Sequence, residues 1–161
     1  MTIQVGDKIP QVMLGIMTEN GPGVISSSSL FDAKRIAVFG LPGAFTKTCS
    51  SQHLPGFVKF SDEIKANGID EILCLSVNDP WVMEAWGKSQ IVGSKIKMIA
   101  DGSLNFTRAM GLELDLSEKC YGLRCKRFSM VAIDGVVKIL HLEKGGFGET
   151  SAEQLIKDLT S

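Results

Sequence analysis

The sequence predicts an α/β fold: a mostly parallel central sheet, helices on both faces, and an antiparallel hairpin at the C-terminal edge. Three observations predict it. Runs of branched apolar residues alternate with stretches of helical periodicity. Asp134-Gly135 lies between two such runs, a strong short-range signal for a tight hairpin. A last helical stretch opens with Thr150-Ser151 and carries Glu153 in its first turn, an N-terminal capping signature.

Taken in order, Ile36 to Phe39 reads as a buried strand and Ser50 to Ala66 as the helix after it. Glu71 to Val77 is a second strand, followed by a helix over Pro80 to Ser89. Lys95 to Ile99 is a third, followed by a helix over Leu104 to Met110. Arg127 to Ile133 and Val136 to Leu142 form the hairpin, and Ser151 to Leu159 the closing helix. No repeat, low-complexity tract or linker interrupts this order, so residues 1–161 are expected to form one domain.

Composition excludes several classes of partner. The formal net charge is -1, with basic residues scattered along the chain, so neither nucleic acid nor a membrane is expected as a partner. No apolar run approaches the roughly 18 residues a membrane span needs. The start, MTIQVGDKIP, carries neither a signal h-region nor an Arg-rich amphipathic pattern. A cytoplasmic location is therefore expected for the chain as it stands, with a removed organellar segment left open. Four cysteines and two histidines occur without any C-x-x-C. That speaks for a reducing compartment and against a structural zinc site or a thioredoxin-type dithiol. No metal or cofactor is expected.

The chemistry concentrates in LPGAFTKTCSSQHLPGF, Leu41 to Phe57. This stretch leaves a buried strand at its carboxyl end, where open α/β sheets place their sites. Pro42-Gly43 is a turn signal, and Cys49 falls in the first turn of the following helix. There the helix dipole and free backbone N–H groups favour the nucleophilic thiolate. Thr46, three residues earlier, can aim a hydroxyl at the sulfur or at a bound substrate. The same N–H groups can stabilise charge on a leaving oxygen.

Pro42-x-x-x-Thr46-x-x-Cys49 resembles the active-site motif of the peroxiredoxins, and PGAFT-x-x-CS-x-x-HLPGF resembles their type II (Prx5-like) subfamily in particular. The resemblance continues through LSVND, ADGSLNFTRAMGLELDL, KRFSM, DGVVK and SAEQLIKDL, and so spans nearly the whole chain. It implies a thioredoxin-like fold and a thiol-dependent peroxidase acting on hydrogen peroxide and alkyl hydroperoxides. By the same resemblance Cys49 is the peroxidatic cysteine, Thr46 bonds the substrate, Pro42 shields the sulfur, and Arg127 contacts sulfur and peroxide. Thr48 joins Thr46, Cys49 and Arg127 among the expected substrate-binding residues. Family members also imply a homodimer, with Phe45 and Trp86 near the contact.

Two departures stand out. Lys47 replaces the proline that usually follows the threonine, where a proline would preset the helix start. The segment before the last helix, KGGFGETSAEQ, lacks the second cysteine found there in animal-like relatives. Cys74 reads as a buried strand residue, and Cys120 and Cys125 have no assigned role. Cys125 would share a face with Arg127 if both lay on one strand. Recycling by an external thiol, from glutaredoxin with glutathione or from thioredoxin, is the expected route. Two rival readings stay open at this stage. One is a Cys–His hydrolase using Cys49 and His53; the other is a redox sensor without turnover.

Overall fold

The computed structural model describes residues 1–161. Seven strands form one sheet in the order β2-β1-β5-β4-β3-β8-β9. Its centre is parallel: β3 (Arg35–Leu41) pairs with β4 (Glu71–Ser76), and β4 with β5 (Lys97–Ala100). On one side β8 (Phe128–Ile133) joins β3 antiparallel and carries β9 (Val136–Leu142) as a hairpin. Asp134 and Gly135 both take positive φ, 49° and 74°, as a two-residue turn matched to strand twist requires.

On the other side lies an antiparallel hairpin absent from the sequence reading, β1 (Met13–Thr18) with β2 (Gly21–Ser26). Parallel pairing is thus confined to β3, β4 and β5, and antiparallel strands flank it on both sides. The reason β1 and β2 escape a pattern search is compositional. Gly15, Gly21, Pro22 and Gly23 dilute the apolar alternation, and β2 tolerates Pro22 because it is an edge strand. The two-stranded sheet of β6 (Glu113–Asp115) and β7 (Leu123–Cys125) is too short for any periodicity to show.

Six helices complete the fold: α1 (Ser27–Phe31), α2 (Leu54–Lys59), α3 (Ser61–Ala66), α4 (Pro80–Ser89), α5 (Asn105–Ala109) and α6 (Ala152–Thr160). The strands sort them by alternation. Ala37, Phe39, Leu41, Ile72 and Cys74 face a core closed by α2, α3, α4 and α6. Ile36, Val38, Leu73 and Leu75 face an opposite core closed by α1 and α5. The expected cap forms at the start of α6, where Ser151 accepts from Gln154 N–H, and Asp79 likewise accepts from Val82 N–H at the start of α4.

The helix expected over Ser50 to Ala66 is instead broken twice. A π-helical segment spans Cys49–His53, in which Leu54 N–H reaches the Cys49 carbonyl five residues back. Pro55 explains it, because its missing N–H denies Ser51 the usual i+4 donor. Phe60 then leaves helical geometry, at φ -101° and ψ 12°, and separates α2 from α3.

Candidate active site

The loop from Pro42 to Thr48 joins the end of β3 to this π-helical segment, and three contacts shape it. Ala44 N–H donates to Asn78 Oδ1 at 3.0 Å, and Ser76 Oγ donates to the same oxygen at 2.6 Å. Arg124 Nη1 reaches the Pro42 carbonyl at 3.4 Å while its Nε holds the Tyr121 carbonyl at 2.9 Å. Trp86, fully buried, donates its indole N–H to Ser50 Oγ at 3.0 Å. The first helical bond of the segment runs from Ser50 N–H to the Thr46 carbonyl at 2.9 Å. The N–H groups of Lys47, Thr48 and Cys49 therefore have no carbonyl partner, as at any helix start.

Cys49 is 1% exposed, and Arg127 Nη2 donates to its sulfur at 3.2 Å. Arg127 precedes β8 rather than opening it. Its neighbour Phe128 faces the opposite core, where the absence of a side chain at Gly40 admits its ring; a Cβ there would lie 2.1 Å from the ring. Strand alternation accordingly turns Arg127 to the Cys49 side. The guanidinium fork is used twice, since Nη1 bonds His53 Nδ1 at 2.9 Å.

His53 is fully buried, and its Nε2 meets the Thr150 carbonyl at 3.0 Å. A carbonyl only accepts and a guanidinium only donates, so the ring is neutral with its proton on Nε2. Burial and then the Arg127 charge lower its pKa to about 3, against the opposing Thr150 bond. With Nδ1 engaged by Arg127, His53 has no lone pair left to take a proton from Cys49. The hydrolase reading fails on this point. Phe147 closes the far side, edge-on to His53 with ring centroids 5.2 Å apart and 5.8 Å from the Arg127 guanidinium carbon.

Thr46 donates its hydroxyl to the Gly43 carbonyl at 2.6 Å. Its proton is committed, which leaves oxygen lone pairs to accept a substrate O–H. No hydrogen bond joins Thr46 or Thr48 to the sulfur, and Thr48 makes no side-chain capping bond. Pro42 is half-buried and Lys47 exposed. Thus the structure brings Cys49, Arg127 and His53 together directly, while Pro42, Thr46 and Thr48 lie on the segment that leads to Cys49. Asn78, Arg124, Thr150 and Phe147 come from sequence-distant elements, and no local spacing announces them.

All four cysteines are free, and Cys74 shares the core that buries Cys49. Cys74 is buried within β4; burial, and then the neighbouring Cys49, hold its thiol well above the usual range. Cys125 ends β7 and packs into the opposite core, so it does not share a face with Arg127. Cys120 is exposed. No helix is long and apolar enough to cross a membrane.

The Redoxin family model matches residues 4–156. Peroxiredoxin-2B of Arabidopsis thaliana is 44% identical over 159 residues, covering 98% of each chain. Reduced Prx3 in complex with hydrogen peroxide from Vibrio vulnificus superposes with a TM-score of 0.94 at 40% identity, covering 98% of this chain and 99% of that one. The 1-Cys peroxiredoxin of Plasmodium falciparum does so with a TM-score of 0.92 at 32% identity, covering 98% and 99%. With a thioredoxin-like frame and a near full-length match, the chain belongs to the type II (Prx5-like) peroxiredoxins, the thiol-dependent peroxidases.

Proposed function

We propose that Cys49 is the attacking residue of this peroxidase, that Arg127, Thr46 and the helix-start N–H groups bind the peroxide, and that an external thiol recycles the enzyme. The observation that carries the reading is the 3.2 Å bond from Arg127 to the Cys49 sulfur at the free N-terminal end of a helix. A fixed cation and unpaired donors stabilise the charge that develops on the leaving oxygen in the transition state. Thr46 accepts the substrate O–H, and Thr48 contributes its backbone N–H. Pro42, half-buried at the end of β3, limits water near the sulfur.

The sulfur bonds to the terminal oxygen of hydrogen peroxide or an alkyl hydroperoxide as the O–O bond breaks. The leaving oxygen takes a proton and departs as water or an alcohol, and Cys49 becomes a sulfenic acid. A first external thiol then forms a mixed disulfide and releases water. A second thiol displaces Cys49 and leaves as the disulfide.

Two facts support the external route. Cys74 and Cys125 are buried, the second on the opposite face of the sheet. The segment before α6 holds no cysteine. Glutaredoxin with glutathione is the favoured reductant and thioredoxin the second. Four free thiols suit the cytoplasm or another reducing compartment. Residues 1–161 act as one domain. Exposed Phe45, at 56%, offers a homodimer contact beside the site, whereas Trp86 is buried behind it, 6.5 Å away between ring centroids, and is not itself a contact surface. A peroxide-consumption assay tests the reading. Turnover is expected with glutathione and glutaredoxin, and no turnover with either reductant would refute it.

A further inference from the structure

The arginine that meets Cys49 is aimed from behind, by a loop that one carboxylate ties down. Glu143 follows β9, and the next six residues, KGGFGE, lead to Thr150. Glu143 Oε2 accepts from Gly148 N–H at 3.2 Å, Thr150 N–H at 3.1 Å and Thr150 Oγ1 at 2.8 Å. Its Oε1 accepts from Glu149 N–H at 3.2 Å. Its own N–H donates to the Arg127 carbonyl at 3.1 Å. One residue therefore grips both ends of the loop and the backbone of the arginine.

The loop contributes two groups to the site. The Thr150 carbonyl fixes His53, which in turn receives Arg127 Nη1. The Phe147 ring lies against both His53 and the guanidinium. Four donors converging on a carboxylate are charge-assisted bonds, and an amide in its place would turn one acceptor into a donor. Burial raises the Glu143 carboxyl, but the Thr150 hydroxyl and the three N–H groups outweigh it and hold the carboxyl below its usual range. Gly145, Gly146 and Gly148 supply no side-chain packing of their own, so Glu143 carries most of the hydrogen bonding that holds the loop's backbone.

We infer that Glu143 is a positioning residue for the peroxidase step, holding the 144–150 loop so that Thr150 and His53 keep Arg127 aimed at Cys49. The inference rests on the assignment of Cys49 and Arg127 made above. The test compares Glu143→Gln with Glu149→Gln, which removes the same charge from the same loop but leaves the anchor intact. Glu143→Gln is expected to slow oxidation of the reduced enzyme by hydrogen peroxide on the order of tenfold. It is also expected to slow alkylation of Cys49 by iodoacetamide at neutral pH, because a misdirected guanidinium loses its 3.2 Å bond to the attacking sulfur. Glu149→Gln keeps the parent rates. A loop that merely covers the site gives a different sign, since opening it would speed alkylation of a buried thiol. Unchanged oxidation, or faster alkylation, in Glu143→Gln overturns the inference. Peroxide consumption persisting in Cys49→Ser overturns instead the assignment beneath it.

Discussion

The two faces of the sheet each bury a cysteine inside a polar cluster, and the clusters are opposite in character. On one face Cys49 receives a guanidinium at 3.2 Å and sits among N–H groups without carbonyl partners. On the other, Cys125 lies beside Thr107 and the carboxylate of Asp101. Asp101 accepts from Phe106 N–H, Thr107 N–H and the Thr107 hydroxyl at 2.7 to 3.0 Å, and so caps α5. Burial, with a further push from Asp101 against the Thr107 bond, drives the Cys125 thiol up to about 12. Both sulfurs are almost wholly buried, so exposure does not separate them. What separates them is the sign of the nearest charge and whether backbone donors are spare. A cysteine becomes a nucleophile where its surroundings favour the anion.

The largest effect should come from exchanging the roles of the two sulfurs. Cys49→Ser is expected to abolish peroxide consumption, while Cys125→Ser keeps the parent oxidation rate in the same assay. Comparable losses in both variants would erase the distinction between the faces. Next in size is the cation itself. Arg127→Lys keeps the charge but loses the fork that holds His53 and Cys49 at once. Its oxidation rate should fall roughly 100-fold, the lower end of the range for one lost transition-state donor, with little change in thermal midpoint. A parent-like rate would remove Arg127 from the chemistry.

Acid should then loosen the Cys49 face through His53. Its folded pKa is about 3 against 6.5 for the free side chain. Between those values the unfolded chain binds one proton more than the native one, so stability falls as pH falls. The expected slope is about 1 kcal/mol per pH unit from this group. Denaturant titrations at pH 7 and pH 5 check it, comparing the parent with His53→Gln. An equal loss in both proteins would contradict the neutral, buried histidine. The smallest effect belongs to the opposite face. Cys125→Ala should cost about 1 kcal/mol in the same titrations through lost packing, with peroxide turnover unchanged.

Much of this contrast was legible in the amino-acid sequence, and the unread part has physical causes. Runs of branched apolar residues placed β3, β4, β8 and β9 within about a residue or two, and Asp134-Gly135 marked the turn between the last two. The first-turn position of Cys49 followed from a strand, a Pro-Gly turn and a helical stretch in sequence. The N-terminal hairpin was hidden because glycine and proline in an edge strand look like loop. The π-helical segment was hidden because Pro55 reads equally as a kink or a stop. The partners of Arg127 were illegible for a different reason. His53 and Phe147 reach it, and Thr150 reaches His53, only when the π-helical segment, the loop after β9 and the approach to β8 converge. Such convergence is a property of topology, and single-chain periodicity carries no record of it.

The central claim is that Cys49 reacts alone and stays alone until an outside thiol arrives. The most direct measurement treats the fully reduced protein with one equivalent of hydrogen peroxide, without added thiol, and follows it by mass spectrometry. The account predicts a sulfenic acid on Cys49 that glutathione traps as a mixed disulfide, moving on to sulfinic acid when peroxide is in excess. Rapid, stoichiometric formation of a disulfide from Cys49 to Cys74, Cys120 or Cys125 would contradict it.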